Sequence, residues 1–209
     1  MKKTAIGCGA ILFLGLLVVL AAIASYNRLV RLSQGVDGQW AQVQNVYQRR
    51  ADLIPNLVAT VSGSANFEKS TLTEVTAARA SVGQVKLDPN SAPTDPAKLA
   101  EFEKAQGALS SALSRLLAVS ERYPDLKASA GFLELQSQLE GAENRITVER
   151  ERFNTTVRAY DTAIKSFPAL LYAGHFGFSE KPYFAATPGA EKPPQVQFDF
   201  NNKPAPAKP

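Results

Sequence analysis

The chain has 209 residues, 23 Lys and Arg against 19 Asp and Glu, and a formal net charge of +4. That length suits one globular domain with an anchor or a tail. The basic residues are interspersed with acidic ones and form no stripe with interleaved aromatics, so no nucleic-acid partner is expected. One cysteine and one histidine rule out an intrachain disulfide and supply no zinc-ligand pattern.

Residues 1–25 read "MKKTAIGCGAILFLGLLVVLAAIAS", with an uncharged run of 20 residues from Ala5 to Ala24. At about 1.5 Å per residue such a helix covers ~30 Å, the hydrocarbon thickness of a bilayer. A single transmembrane anchor is therefore expected over 1–25. Ala22-Ile23-Ala24 behind Lys2 and Lys3 also fits a cleavable signal peptide, but the run exceeds the roughly 7–15 apolar residues of such leaders. Cys8 precedes the run instead of following it, which argues against lipidation there. Lys2 and Lys3 before the span and Arg28 and Arg31 after it nearly balance the positive-inside bias. The short leader favours an N-terminus inside the cytoplasmic membrane and the main domain outside.

Beyond the anchor, apolar residues recur at spacings of three and four: Leu29, Leu32, Val36, Trp40, Val43, Tyr47, Ile54, Leu57, Val61, with Arg50 in register among them. The stretch "RRADLIPNLV" at 49–58 interrupts the stripe with Arg49, Arg50, Asp52 and Pro55. Pro55 cannot donate to the carbonyl of Ala51. Either Asp52 caps a new helix with Pro55 in its first turn, or one helix continues with a kink. The stripe keeps its phase across the proline, which favours the kinked but continuous helix. Arg49 then points away from the seam and Arg50 toward it. A buried arginine has to be paired, with Glu74, Glu143 and Glu149 as candidate partners. Alternatively its stem lies along the seam and its head reaches water.

Gly63 and the Ser and Asn near it predict a turn. A shorter helix follows over about 67–82, carrying Phe67, Leu72, Val75 and Val82, and then a proline-bearing loop over 83–96. Asp95 and Pro96 suit the N-cap and first position of a third helix. Its stripe runs Leu99, Phe102, Gln106, Leu109, Leu113, Leu116, Ser120, Tyr123, and Tyr123-Pro124 ends it. Ser129 is the candidate N-cap of a fourth helix striped by Phe132, Leu135, Leu139, Ala142, Ile146, Arg150, Phe153, Val157, Tyr160, Ile164 and Phe167. Polar groups at such seam positions, Arg50 and Arg150 above all, fix register at some cost in stability.

Long striped helices joined by short loops predict an all-α fold: a transmembrane helix followed by an elongated up-and-down antiparallel bundle with coiled-coil-like packing. No segment alternates with period two, so no sheet is expected. The domain division is 1–25 anchor, 26–167 bundle and 168–209 tail. The tail begins aromatic, "PALLYAGHFGFSEKPYF", packed on the bundle end or beside the membrane. It ends proline-rich and polar, a composition that predicts disorder.

The catalytic patterns sought are not found. His175 has no ligand or acid–base partner at a recognisable spacing and reads as part of an aromatic packing loop. Glu140, Glu143, Glu149 and Glu151 alternate with Arg145, Arg150 and Arg152 on the fourth helix, a pattern of solvated i,i+3 and i,i+4 pairs. The Glu-x-x-His motifs of carboxylate-bridged metal sites, phosphate-loop glycines and a nucleophile elbow are all missing. No cofactor, metal or small-molecule substrate is expected, and the chain reads as a non-enzyme.

Four stretches resemble the LemA family of bacterial membrane-anchored proteins: "YNRLVRL", "RRADLIPNLVATVSG" with "TLTEVTAARA", "ERYPDLKASAGFLELQSQLEGAENRITVERERFNTTVRAYDTAIKSFP", and "GFSEKPYF". They cover roughly residues 26 to 184 in order and spacing. The resemblance implies one N-terminal transmembrane helix, an antiparallel helical domain and no established catalytic activity. It also implies roles in organising membranes or assisting membrane-associated partners, sometimes near quality-control metallopeptidases. The functional expectation is a single-pass scaffold of the bacterial cytoplasmic membrane that binds a protein partner or itself. The alternatives are a soluble periplasmic bundle after cleavage behind Ala24 and an accessory subunit of a membrane enzyme.

Overall fold

A computed structural model describes residues 2–64, 67–88 and 91–185, with side chains from residue 12 onward. The proline-rich stretch from 186 onward lies outside the described residues, as does the expectation of disorder there. Among the described residues there is no strand. The elements are α1 (Lys2–Ser62), α2 (Lys69–Gln84), α3 (Pro96–Ser120), a short α4 (Pro124–Lys127), α5 (Ala130–Lys165) and a 3-10 turn at Ala169–Leu171.

The caps form as the side-chain chemistry requires. The Asp95 carboxylate accepts from Ala97 N at 2.8 Å with Pro96 at the first helical position, and Ser129 Oγ accepts from Phe132 N. Each satisfies an amide that the helix itself leaves without a partner. The segment between α3 and α5 closes one helical turn, α4, where only a connection was expected.

Cross-helix pairs fix the directions. Gln39 meets Glu149 and Arg50 meets Glu143, so α5 runs antiparallel to α1. Glu68 meets Arg122 and Glu74 meets Arg115, so α2 and α3 are antiparallel. Arg79 of α2 reaches back to Ala51 of α1. The result is an up-down-up-down bundle in which α5, at about 1.5 Å per residue, is roughly 54 Å long.

The stripes are the core. Leu29, Val36, Trp40, Val43, Tyr47, Ile54, Leu57 and Val61 of α1 are all buried, as is the α3 series from Leu99 to Ser120. Each large apolar side chain so buried contributes about 1.5–3 kcal/mol. Leu32, Leu135 and Tyr123 are partly buried beside this core, while Phe167, counted in the α5 stripe, is exposed. The helix stops at Lys165, and beyond it the chain turns into the 3-10 segment. The side chain at 167 therefore leaves the helical register that would have carried it inward. Between α2 and α3 the chain is anchored at Ala92, which is buried and whose amide donates to Asp37 Oδ1 at 2.9 Å.

Candidate functional site

The apolar core is in two parts. One holds Trp40, Val43, Tyr47, Phe102, Ile146 and Phe153, and the other Ile54, Leu57, Leu109, Leu116 and Leu139. Arg50 sits between them, on the turn of α1 that separates Tyr47 from Ile54. It is 2% exposed, and its Nη1 donates to Glu143 Oε2 at 2.6 Å and Ser110 Oγ at 2.7 Å. Its Nη2 donates to Gln106 Oε1 and more weakly to the Gln106 carbonyl at 3.4 Å. The guanidinium also lies 5.3 Å from the centre of the Tyr47 ring. Three helices thus each contribute to one polar layer. Of the three carboxylates that sequence proposed for Arg50, Glu143 takes it. Glu74 pairs with Arg115, and Glu149 with Arg152 and Gln39.

α1 continues through Pro55, and no new helix begins at Asp52. The Asp52 side chain is exposed and accepts from Gln48 Nε2 one turn back at 2.7 Å. The carbonyl that Pro55 leaves without its helical donor is that of Ala51. It accepts from Arg79 Nε of α2 at 3.1 Å. The proline therefore creates an acceptor that ties two helices together. Arg49 is exposed, about 100° round α1 from Arg50.

A second polar assembly docks the tail. Lys181 is buried, and its Nζ meets Asp37 Oδ1 at 2.9 Å across 144 positions of sequence. Asp161 accepts from the Lys181 amide at 3.2 Å and from the Tyr183 hydroxyl. Asn154 pairs with Phe184 like a strand partner: its Nδ2 donates to the Phe184 carbonyl at 3.0 Å, and its Oδ1 accepts from the Phe184 amide at 2.9 Å. The Phe184 ring is buried against Trp40 and Phe153 and lies under the Arg150 guanidinium, 4.7 Å from ring centre to Cζ. Arg150 is half-buried, pairs with Glu103 Oε1 at 2.6 Å and donates to the Ala185 carbonyl at 2.9 Å.

Burial shifts the groups in these layers. The Glu103 carboxyl is pushed above the ordinary glutamate range by desolvation, against the opposing pull of Arg150 and the Ala185 amide. The Tyr47 phenol is raised by desolvation, opposed by Arg150 and Arg50. Tyr183 is raised by desolvation and by its hydrogen bond to Asp161.

Most of these charges meet opposite charges inside the bundle. The arrangement holds helices and tail in register. Among the described residues no three His, Cys, Asp or Glu side chains converge. His175 is exposed in the aromatic loop, edge-on to Phe176. Sequence reasoning singled out Arg50 and Arg150 but passed over Arg79, Asp37, Asn154, Asp161 and Lys181. The available signals were the proline that frees Ala51 and the lysine set between aromatics in "GFSEKPYF".

The LemA family model matches residues 39–198. The chain is similar to the magnetosome protein MamQ of Magnetospirillum gryphiswaldense, 28% identical over 82% of this chain and 70% of that protein. It is likewise similar to the magnetosome protein MamQ 2 of Paramagnetospirillum magneticum, 28% identical over 88% of this chain and 75% of that protein. Protein LemA of Metamycoplasma hominis is 25% identical over 70% of this chain and 59% of its own length. None of these names is that of an enzyme. With the match running from Gln39 on α1 past the docked tail, the chain belongs to the LemA family.

Proposed function

We propose that this protein is a non-enzymatic scaffold held in the bacterial cytoplasmic membrane by one N-terminal span, presenting its bundle on the outer side to a protein partner or to further copies of itself. The observation that carries this reading is the continuity of α1. One helix, Lys2–Ser62, presents exposed Leu12, Phe13, Leu14, Leu16 and Leu17 over its apolar part. From Leu29 onward the same helix supplies the core stripe of the bundle. An apolar helix face this long and uncovered fits a lipid surrounding. Without a flexible linker the bundle is held as a stiff post. Its inward charges meet one another, which leaves the outer faces of α5 and α2 for partners. The docked tail through Ala185 acts with the 26–167 bundle, and residues 1–25 act as the anchor.

The test joins fractionation with crosslinking. The full chain should stay with membranes at alkaline pH, and a photocrosslinker at exposed Val148 of α5 should capture one specific membrane protein or a second copy. Release of the chain by alkaline extraction, or a mature N-terminus at Ser25, refutes the anchored scaffold.

A further inference from the structure

Where α1 leaves its apolar part, the segment 167–176 stands beside it. Phe167, Pro168 and Ala169 face Ala24, Ser25, Arg28 and Leu29 across one hollow. Tyr172 and Phe176 line an almost wholly apolar groove with Ala22, Ile23 and Tyr26. Tyr26 packs edge-on to Phe176 and Phe178, with ring centres 5.5 and 5.7 Å apart. This loop is therefore level with the last turns of the apolar run.

Its outer side chains are uncovered. Phe167 is 79% exposed, Leu170 62%, Leu171 75% and Phe176 59%, while Ile23 beside them on α1 is 52% exposed. Single apolar residues on a water-facing surface are ordinary, but a cluster continuous with a bare apolar helix marks an interaction face. The backbone is also suited to leaving water. Leu170 N donates to Ser166 O, Leu171 N to Pro168 O, Tyr172 N to Ala169 O and Ala173 N to the same Ala169 carbonyl, all at 2.8–3.1 Å. With these amides paired, the turn at 170–173 can enter a poorly hydrated zone at less cost than an open loop. Aromatic rings at the boundary of an apolar span match the preference of such rings for the headgroup level. Arg28 is exposed on α1 next to this level.

The geometry points to a second membrane contact: the loop 167–176 dips Phe167, Leu170, Leu171 and Phe176 into the outer lipid interface as a collar beside the anchor. This rests on the anchored reading given above. A helix alone could tilt and rotate in the bilayer. A collar joined to α5 sets the bundle at one height and one orientation, so the face presented to a partner is fixed.

The test uses the full chain with Cys8→Ser and one engineered cysteine carrying an environment-sensitive fluorophore, in phosphatidylcholine–phosphatidylglycerol vesicles with and without acyl-brominated lipid. Leu171→Cys and Phe176→Cys report the collar, and Leu17→Cys reports the anchor. Leu133→Cys, exposed near the far end of α5, is the aqueous reference. All four sites are exposed, so the fold tolerates the labels. Brominated lipid is expected to quench the probes at 171 and 176 severalfold more than the probe at 133. If Leu17 is quenched while both collar sites behave like Leu133, the collar is refuted and the anchor stands. If no site is quenched, both fail. Blue-shifted emission at 171 without lipid quenching means that protein, such as a second copy, covers this face, and also overturns the proposal.

Discussion

Glu143→Ala is expected to destabilise the bundle more than Arg50→Met, although arginine is the more deeply buried member of the pair. In Glu143→Ala the guanidinium, 2% exposed, loses its carboxylate at 2.6 Å and keeps only neutral acceptors on Ser110 and Gln106. Breaking a fully buried pair in this way costs about 3–5 kcal/mol. Glu143, however, is 52% exposed, so water can follow into the space it leaves. The cost is then reduced toward that of one hydrogen bond to a charged group, roughly 1.5–3 kcal/mol. In Arg50→Met the freed glutamate simply hydrates. The buried side-chain acceptor that loses its donor is Gln106 Oε1, at ~1–3 kcal/mol. Against that, methionine joins the two apolar halves of the core, a gain of similar size. The net change for Arg50→Met is about 0–1 kcal/mol. Urea unfolding of the full chain in detergent micelles, followed by circular dichroism, reads both numbers. Spin labels on exposed Asn45 and Thr147 should show a broadened α1–α5 distance in Arg50→Met, because the residue that fixes register is gone. The reasoning is refuted if Arg50→Met is the costlier change, or if it alters neither stability nor register.

The Pro55–Ala51–Arg79 relation predicts a double-mutant cycle. Arg79→Met should cost about 0.5–1.5 kcal/mol beside Pro55, and almost nothing beside Pro55→Ala, where the helix supplies its own donor; equal costs in both backgrounds disprove the link. Asp37→Asn should undock the tail without unfolding the bundle, since the stranded Lys181 can swing into water; hydrogen exchange should then rise at Lys181 and Phe184 with α5 unchanged. Glu103 titrates above the ordinary glutamate value because burial favours its neutral form. The folded state therefore binds its proton more tightly than the unfolded state. Its stabilising contribution is complete below the unfolded pKa and is lost as pH rises through the higher, folded value. Wild type should lose stability relative to Glu103→Gln as pH rises from the ordinary glutamate range through the higher, folded value; a difference that stays constant with pH shows no such shift. Alanine at Asn154 should expose the docked tail to protease between 178 and 185 while leaving helicity intact, and unchanged cleavage there would mean the side chain does not hold it.

The helical architecture was legible because its causes are local. Spacings of three and four, Asp95-Pro96, Ser129 and Tyr123-Pro124 act within a turn or two of their own positions, and the helices begin and end close to them. Continuity through Pro55 was legible for the same reason: the stripe holds its phase from Tyr47 to Val61. That Arg50 would lie inside was visible from register alone. Which carboxylate meets it was not, since Glu74, Glu143 and Glu149 are equivalent on a linear chain. The polar layer also needed the lateral packing of α3, which places Gln106 and Ser110 beside Arg50. Phe167 shows the opposite failure, because a periodic pattern has no means of registering that the helix stops two residues earlier.

The sequence by itself determined the helices, their buried faces and the apolar run at the start of α1, since burying a stripe needs only periodicity and an apolar run is a matter of composition. The tertiary structure decided the pairings: Arg50 with Glu143 across 93 positions, Lys181 with Asp37 across 144, and the aromatic loop brought level with Ala22–Tyr26. Electrostatic and hydrogen-bonded contacts are specified by distance in space, and only the folded bundle brings residues so far apart in the chain to within 3 Å.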